Sequence, residues 1–123
     1  MKIFCKECGI EISDELEKIK DESLLTIKVG EALVPQGYFL ASKRNYPHFI
    51  NSTNKILINE SDLKNSADHS EINRLNGCCG PDGMDGFNKI CMNGHEIGTI
   101  KGDCWIIHCI VIEPSLVTTD PPL

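Results

Sequence analysis

The placement of the cysteines limits this chain more than any other feature. Seven of them sit in 123 residues: a Cys5-Lys6-Glu7-Cys8-Gly9 pair at the front, and Cys78, Cys79, Cys91, Cys104 and Cys109 in the last third. Two thiolates two residues apart, followed by glycine, suit the tight turn that wraps a tetrahedral Zn²⁺ ion. In such a turn the backbone N–H groups aim at the sulfurs, and glycine relieves the crowding behind them. A metal that ties residue 5 to the 78–109 region closes the chain into one unit, read here as a single domain over 1–123.

The second half of the metal set is less determined. Cys78-Cys79 are adjacent, and neighbouring side chains diverge, so only one of the two is expected to bind. Cys91-Met92-Asn93-Gly94 has the form of a second turn in which Asn93 stands where a second cysteine would be. The expected site is therefore closed and tetrahedral, with Cys5, Cys8, Cys91 and either Cys78 or Cys79 around a structural zinc. Four protein ligands leave no coordination position for water, which makes such a site structural and not catalytic.

Composition narrows the function classes. The net charge of −6, from 18 acidic and 12 basic residues, repels phosphate. Aromatic residues at 6% offer little stacking surface for single strands. Lys43-Arg44 and Lys55 make only a thin basic patch, so neither nucleic-acid binding nor a transcription adaptor built on a zinc ribbon is favoured. A basic protein partner would instead be steered toward the acidic surface, for which Glu15, Glu17, Asp21, Glu22, Glu60 and Asp62 are the candidates. The first residues lack the apolar run of a signal peptide, and the stretch from Trp105 to Ile112 is too short to span a bilayer. A cytoplasmic location without membrane contact is expected, and reduced thiols there favour metal over disulfides.

Other chemistry is weaker. Cys104 and His108, with Asp103 adjacent, could form a nucleophilic or zinc-dependent pair. On a strand, however, residues four apart stand about 13 Å from one another. Glu96 and Asp103 are the possible general bases for a catalytic zinc. Gly9-Ile10-Glu11-Ile12 reads as a strand after the first cysteine pair, unlike the helix of a redox Cys-x-x-Cys motif. Asp82, Asp85 and Asn88 lack the alternation of a calcium loop.

The local pattern predicts a mostly β, α+β architecture with a zinc-ribbon-like element joining the N-terminal turn to the C-terminal third. Asp14 and Glu17 with Leu16 and Ile19 predict a short helix over 14–20. Strands are expected at 24–29, 38–41, 56–58, 97–100 and 105–113, with a polar loop over 43–55, an irregular connection over 59–77 and a frayed tail from 118.

Asn76-Gly77-Cys78-Cys79-Gly80-Pro81-Asp82-Gly83, then Asp85-Gly86, Asn88, Cys91, Gly94 and Asp103-Cys104-Trp105, together with the front Cys5-to-Gly9 pair, resemble a family of small bacterial proteins that has no assigned activity. Where that family commonly has Cys-x-Cys-Gly in its third turn, this chain has Asn93. Small acidic proteins of this kind also look like immunity proteins encoded beside bacterial toxins. The resemblance thus implies a non-enzymatic protein-binding role, with a basic toxin as partner.

Overall fold

The computed structural model describes residues 1–47 and 50–123. Nine strands lie among the described residues: β1 (Lys2–Cys5), β2 (Glu17–Lys18), β3 (Tyr38–Ala41), β4 (Ile56–Ile58), β5 (Ser66–Asp68), β6 (Lys89–Cys91), β7 (Glu96–Lys101), β8 (Cys109–Ile112) and β9 (Val117–Asp120). Seven of them form one sheet in the order β2-β3-β4-β8-β7-β6-β5, and β1 pairs with β9 in a separate two-stranded ribbon. The architecture is mostly β. Among the described residues there is no α-helix, and the helical content is single 3₁₀ turns at Glu22–Leu24, Glu60–Asp62, Ile72–Arg74 and Pro114–Leu116. No helix among them is long and apolar enough to cross a membrane.

The central strands read as continuous apolar runs because both faces of the sheet are covered. β4 lies antiparallel to β8 with Ile56 opposite Ile112, Leu57 opposite Val111 and Ile58 opposite Ile110. Side chains alternate across a strand. Phe39, Ile56, Ile58, Ile110 and Ile112 accordingly pack on one face with Ile3, Cys5, Cys91 and Val117, which brings the β1–β9 ribbon onto the sheet. Leu40, Leu57, Cys109 and Val111 point the other way, into a second cluster with Leu33, Val34, Tyr46, Ile50 and Ile107. β-branched residues are well suited to such a two-sided strand.

Four expectations need correction. The segment 14–20 is extended, not helical: Leu16 donates its N–H to the Met1 carbonyl, and Ile19 donates to that of Phe39. Leu16 and Ile19 are three apart, which puts them on opposite sides of an extended chain, and they enter opposite clusters. The expected strand at 24–29 is an irregular surface segment that leaves Leu24, Ile27 and Val29 exposed. The strand expected over 105–113 is confined to β8, because Cys104 and Trp105 form a turn. The tail is ordered as far as Asp120, since β9 supplies the partner that β1 needs, from Lys2 opposite Asp120 to Cys5 opposite Val117. The strands expected at 38–41 and 56–58 coincide with β3 and β4, and that at 97–100 lies inside β7. Part of the loop expected over 43–55, residues 48 and 49, lies outside the described residues.

Two details of this scaffold position the site. β6 and β7 shift register between Lys89 and Ile90. Beside the shift, the buried Asn88 side chain accepts the Ile100 N–H at 2.7 Å and donates to the Ile100 carbonyl at 3.0 Å. Asn88 is thus a structural polar residue, satisfied on both sides of its amide. The short connection from β6 to β7 is the turn 92–95, and it faces the turn that follows β1.

Candidate metal centre

β1 ends at Cys5, and the chain then turns tightly. Gly9 donates to the Cys5 carbonyl at 2.8 Å, and Cys5 donates to the Ile10 carbonyl at 2.9 Å. β6 ends at Cys91 with a turn of the same kind, one residue shorter. Gly94 donates to the Cys91 carbonyl at 2.9 Å, and Cys91 donates to the His95 carbonyl at 2.8 Å. Gly9 and Gly94 hold φ of +74° and +87°, a left-handed conformation that glycine adopts without steric cost. In each turn the residue before that glycine is the one that faces the opposite turn: Cys8 in the first, Asn93 in the second. His95, one place beyond Gly94, takes up the last corner.

The result is a group of four: the Cys5, Cys8 and Cys91 sulfurs and one His95 ring nitrogen all lie within 4.8 Å of one another. His95 Nδ1 is 3.7 Å from Cys5 Sγ and 3.4 Å from Cys91 Sγ, and Cys8 Sγ is 3.8 Å from Cys91 Sγ. Zinc bonds of about 2.3 Å to sulfur and about 2.0 Å to nitrogen imply tetrahedral edges of about 3.8 Å between sulfurs and about 3.5 Å from sulfur to nitrogen. These three edges match those figures, and with all four donor atoms inside 4.8 Å the set fits a small tetrahedral metal ion. Cys5 and Cys91 are buried, His95 is half-buried and Cys8 is exposed.

Local donors prepare the sulfurs for a positive ion. Asn93 Nδ2 donates to Cys8 Sγ at 3.2 Å. That bond, with the Ile10 N–H behind it, lowers the Cys8 thiol to a pKa of about 6. Burial dominates at Cys5 and pushes its thiol up, against the N–H groups of Cys8 and Glu7 that point at the sulfur. A metal offsets that burial penalty, because the ligand is then a thiolate neutralised by the ion.

The structure thus brings Cys5, Cys8 and Cys91 together and leaves both Cys78 and Cys79 out. The place expected for Cys78 or Cys79 is taken by the His95 imidazole, two residues beyond Asn93. The Cys91-to-His95 spacing was the available signal. Cys79 is instead disulfide-bonded to Cys104, while Cys78 is a free, exposed thiol.

The remaining candidates are engaged elsewhere. Glu96 Oε2 pairs with Arg74 Nη1 and His69 Nε2, each at 3.0 Å. Asp103 accepts the backbone N–H of Cys78 at 3.1 Å, and such backbone donors hold its carboxyl below the usual aspartate range. His108 Nε2 lies 2.8 Å from the Asp103 carbonyl, away from a thiol partner. Cys109 is buried in β8, and burial pushes its thiol up to about 12, which keeps it protonated and inert. A second compact set, Cys79, Asp103 and Cys104, also lies within 4.8 Å, but its two sulfurs are bonded to each other.

Comparison with protein-family models, curated proteins and solved structures finds no match to this chain.

Proposed function

We propose that Cys5, Cys8, Cys91 and His95 hold a structural Zn²⁺, as a zinc-ribbon-like staple in a non-enzymatic protein-binding module. The observation that carries this reading is a group of four donors inside 4.8 Å, of which three edges agree with those of a zinc tetrahedron. Three thiolates and a neutral imidazole around Zn²⁺ carry one net negative charge. The N–H groups of Asn93, Ile10, Cys8 and Glu7 at the sulfurs offset it. All four positions are then filled by protein, so the ion would act on stability and not on substrate. Its place in the fold agrees: Cys5 belongs to the β1–β9 ribbon, while Cys91 ends β6 of the large sheet and His95 lies in the turn from β6 to β7.

The partner side of the proposal rests on charge, with the family resemblance pointing the same way. A chain of net charge −6 attracts a basic protein, and a basic bacterial toxin is the partner chemistry that fits an immunity role. Among the acidic candidates, several already serve the fold. Glu15 pairs with the N-terminal ammonium at 2.6 Å, and Asp62 accepts the Gly37 N–H at 2.8 Å. Asp21 caps the Ser23 N–H at 2.9 Å, and Glu22 accepts the Tyr46 hydroxyl at 2.7 Å. Glu17 and Glu60 stay exposed and are the better contacts for a cationic surface.

Elemental analysis of protein purified without chelator tests the centre. One zinc per chain, with Cys5, Cys8 and Cys91 protected from alkylation until the zinc is removed, is the expected result. A folded protein that neither contains nor takes up zinc would sink it. For the partner, calorimetry with the product of the adjacent gene should show binding that weakens as salt rises. A complex insensitive to salt, or none at all, would remove the electrostatic reading.

A further inference from the structure

The other sulfur group has a different chemistry. Cys79 and Cys104 are 25 residues apart, form a disulfide, and are both exposed. The two loops that carry them are held together by more than that bond. Asp103 Oδ2 accepts the Cys78 N–H at 3.1 Å, its Oδ1 lies 3.5 Å from the Cys79 nitrogen, and Cys104 donates its N–H to Cys79 Sγ at 2.9 Å. Gly102 also donates to the Pro81 carbonyl at 2.8 Å. Breaking the S–S bond therefore leaves the two sulfurs facing each other on a preserved backbone. A pair that opens and closes without rebuilding its surroundings is what reversible exchange needs.

We propose that Cys79–Cys104 is a reversible thiol–disulfide exchange site, entered at Cys104, whose co-reactant is a dithiol or the corresponding disulfide. The two sulfurs differ in how they meet an incoming thiolate. Asp103 Oδ1 stands 3.3 Å from Cys79 Sγ, so its negative charge opposes attack there. Cys104 lies at the turn beside Trp105, which is 71% exposed. A thiolate of the dithiol attacks Cys104 Sγ, the Cys79–Cys104 bond breaks, and Cys79 departs as a thiolate held by the Cys104 N–H. Cys79 takes a proton from water and can then donate its S–H to Asp103. The second thiol of the co-reactant attacks its own sulfur in the mixed disulfide, which frees Cys104 as a thiol. Two electrons pass to the protein and the co-reactant leaves as a disulfide. The reverse sequence oxidises the pair.

This site is separate from the proposed metal centre, whose thiols would be withheld by the ion. The test uses the zinc-loaded protein with Cys78→Ser, so that each modified thiol can be assigned. Dithiothreitol should make two further thiols alkylatable, mapped to Cys79 and Cys104, with zinc retained and circular dichroism unchanged. Oxidised dithiothreitol should close the pair again. Glutathione distinguishes a small monothiol from a dithiol: its mixed disulfide on Cys104 should be transient, because the adjacent Cys79 thiol attacks Cys104 Sγ, expels glutathione and closes the pair again. Adding Cys79→Ser should leave Cys104 reactive toward oxidised glutathione, whereas adding Cys104→Ser should leave Cys79 reacting roughly fivefold more slowly. Reduction only when the protein unfolds would overturn the exchange site. Equal rates at the two sulfurs, or faster reaction at Cys79, would overturn entry at Cys104.

Discussion

The two sulfur-rich corners of this molecule join distant parts of the chain by opposite means. At one, Cys5 and Cys91 are buried at the ends of β1 and β6, with Cys8 and His95 closing the group from the solvent side. At the other, Cys79 and Cys104 lie on exposed loops and are covalently bonded. The first brings the end of the two-stranded ribbon against the β6–β7 turn of the large sheet, beside the apolar core between them. The second links two loops that Asp103 and backbone hydrogen bonds already hold. Cysteines that look alike in the sequence are therefore separated by burial and by their neighbours into a partly buried group beside a histidine and an exposed disulfide.

The sharpest way to break this contrast is to remove one buried ligand. Cys91→Ser should abolish zinc binding and cost on the order of 5 kcal/mol or more, because the binding energy of a structural metal is folding energy. That is comparable to the whole stability of an ordinary domain. Urea unfolding followed by circular dichroism, with and without added zinc, measures it. A stability that zinc does not raise in the wild type would equalise the two corners and defeat the comparison.

The exposed corner should cost less. Replacing both Cys79 and Cys104 by serine removes a cross-link over a separation of 25 residues. Loop-closure entropy puts the loss at roughly 3.5 kcal/mol as an upper figure, since the loops keep their other hydrogen bonds. The double variant should still fold and still bind one zinc. Loss of zinc binding would mean that the two corners are coupled.

Within the metal corner the contrast can be refined at Asn93. Its amide donates to Cys8 Sγ and is the leading cause of that thiol's lowered pKa. Asn93→Ala leaves all four donors in place but removes this support. Outer partners of metal ligands typically contribute about tenfold or more in affinity, so zinc should bind about tenfold more weakly in a chelator competition, with the fold unchanged. An unaltered affinity would show that the backbone turns alone prepare the sulfurs.

How much of this was legible in the sequence depends on the range of the interaction. The first turn could be read because Cys5, Cys8 and Gly9 define it locally, and the short strands around Phe39 and Leu57 announce themselves by β-branched and aromatic residues. The second turn was not legible because its spacing differs: it is one residue shorter than the first, Asn93 stands where a sulfur is expected, and His95 fills the corner from beyond the glycine. The helix expected over 14–20 failed for a related reason. Leu16 and Ile19 match a helical period, but an extended chain covered on both faces produces the same pattern, and only the long-range pairing with Met1 and Phe39 decides between them. The pairing of Cys79 with Cys104, and of β1 with β9, is likewise a fact of topology to which no local signal corresponds.

The smallest effect concerns pH at the exposed corner. Asp103 is the carboxyl that bridges the two loops there, and the Cys78 N–H, followed by those of Cys79, Cys104 and Trp105, holds its pKa below the usual aspartate value. A carboxyl whose folded pKa lies below its unfolded value contributes stability above the unfolded value, and loses it as pH falls through the folded one. From pH 7 down to about 4 the arrangement of the two loops should therefore stay constant. Below that range the protonated carboxyl accepts these N–H groups less well, and the 76–82 loop should loosen against the 102–105 turn. Trp105 is the chain's single tryptophan and adjoins Cys104, so its fluorescence reports the change directly. Asp103→Asn should remove the acid step while the disulfide remains. A step of equal size in that variant would assign the titration to another group and leave the loops held by the backbone bonds and the S–S bond alone.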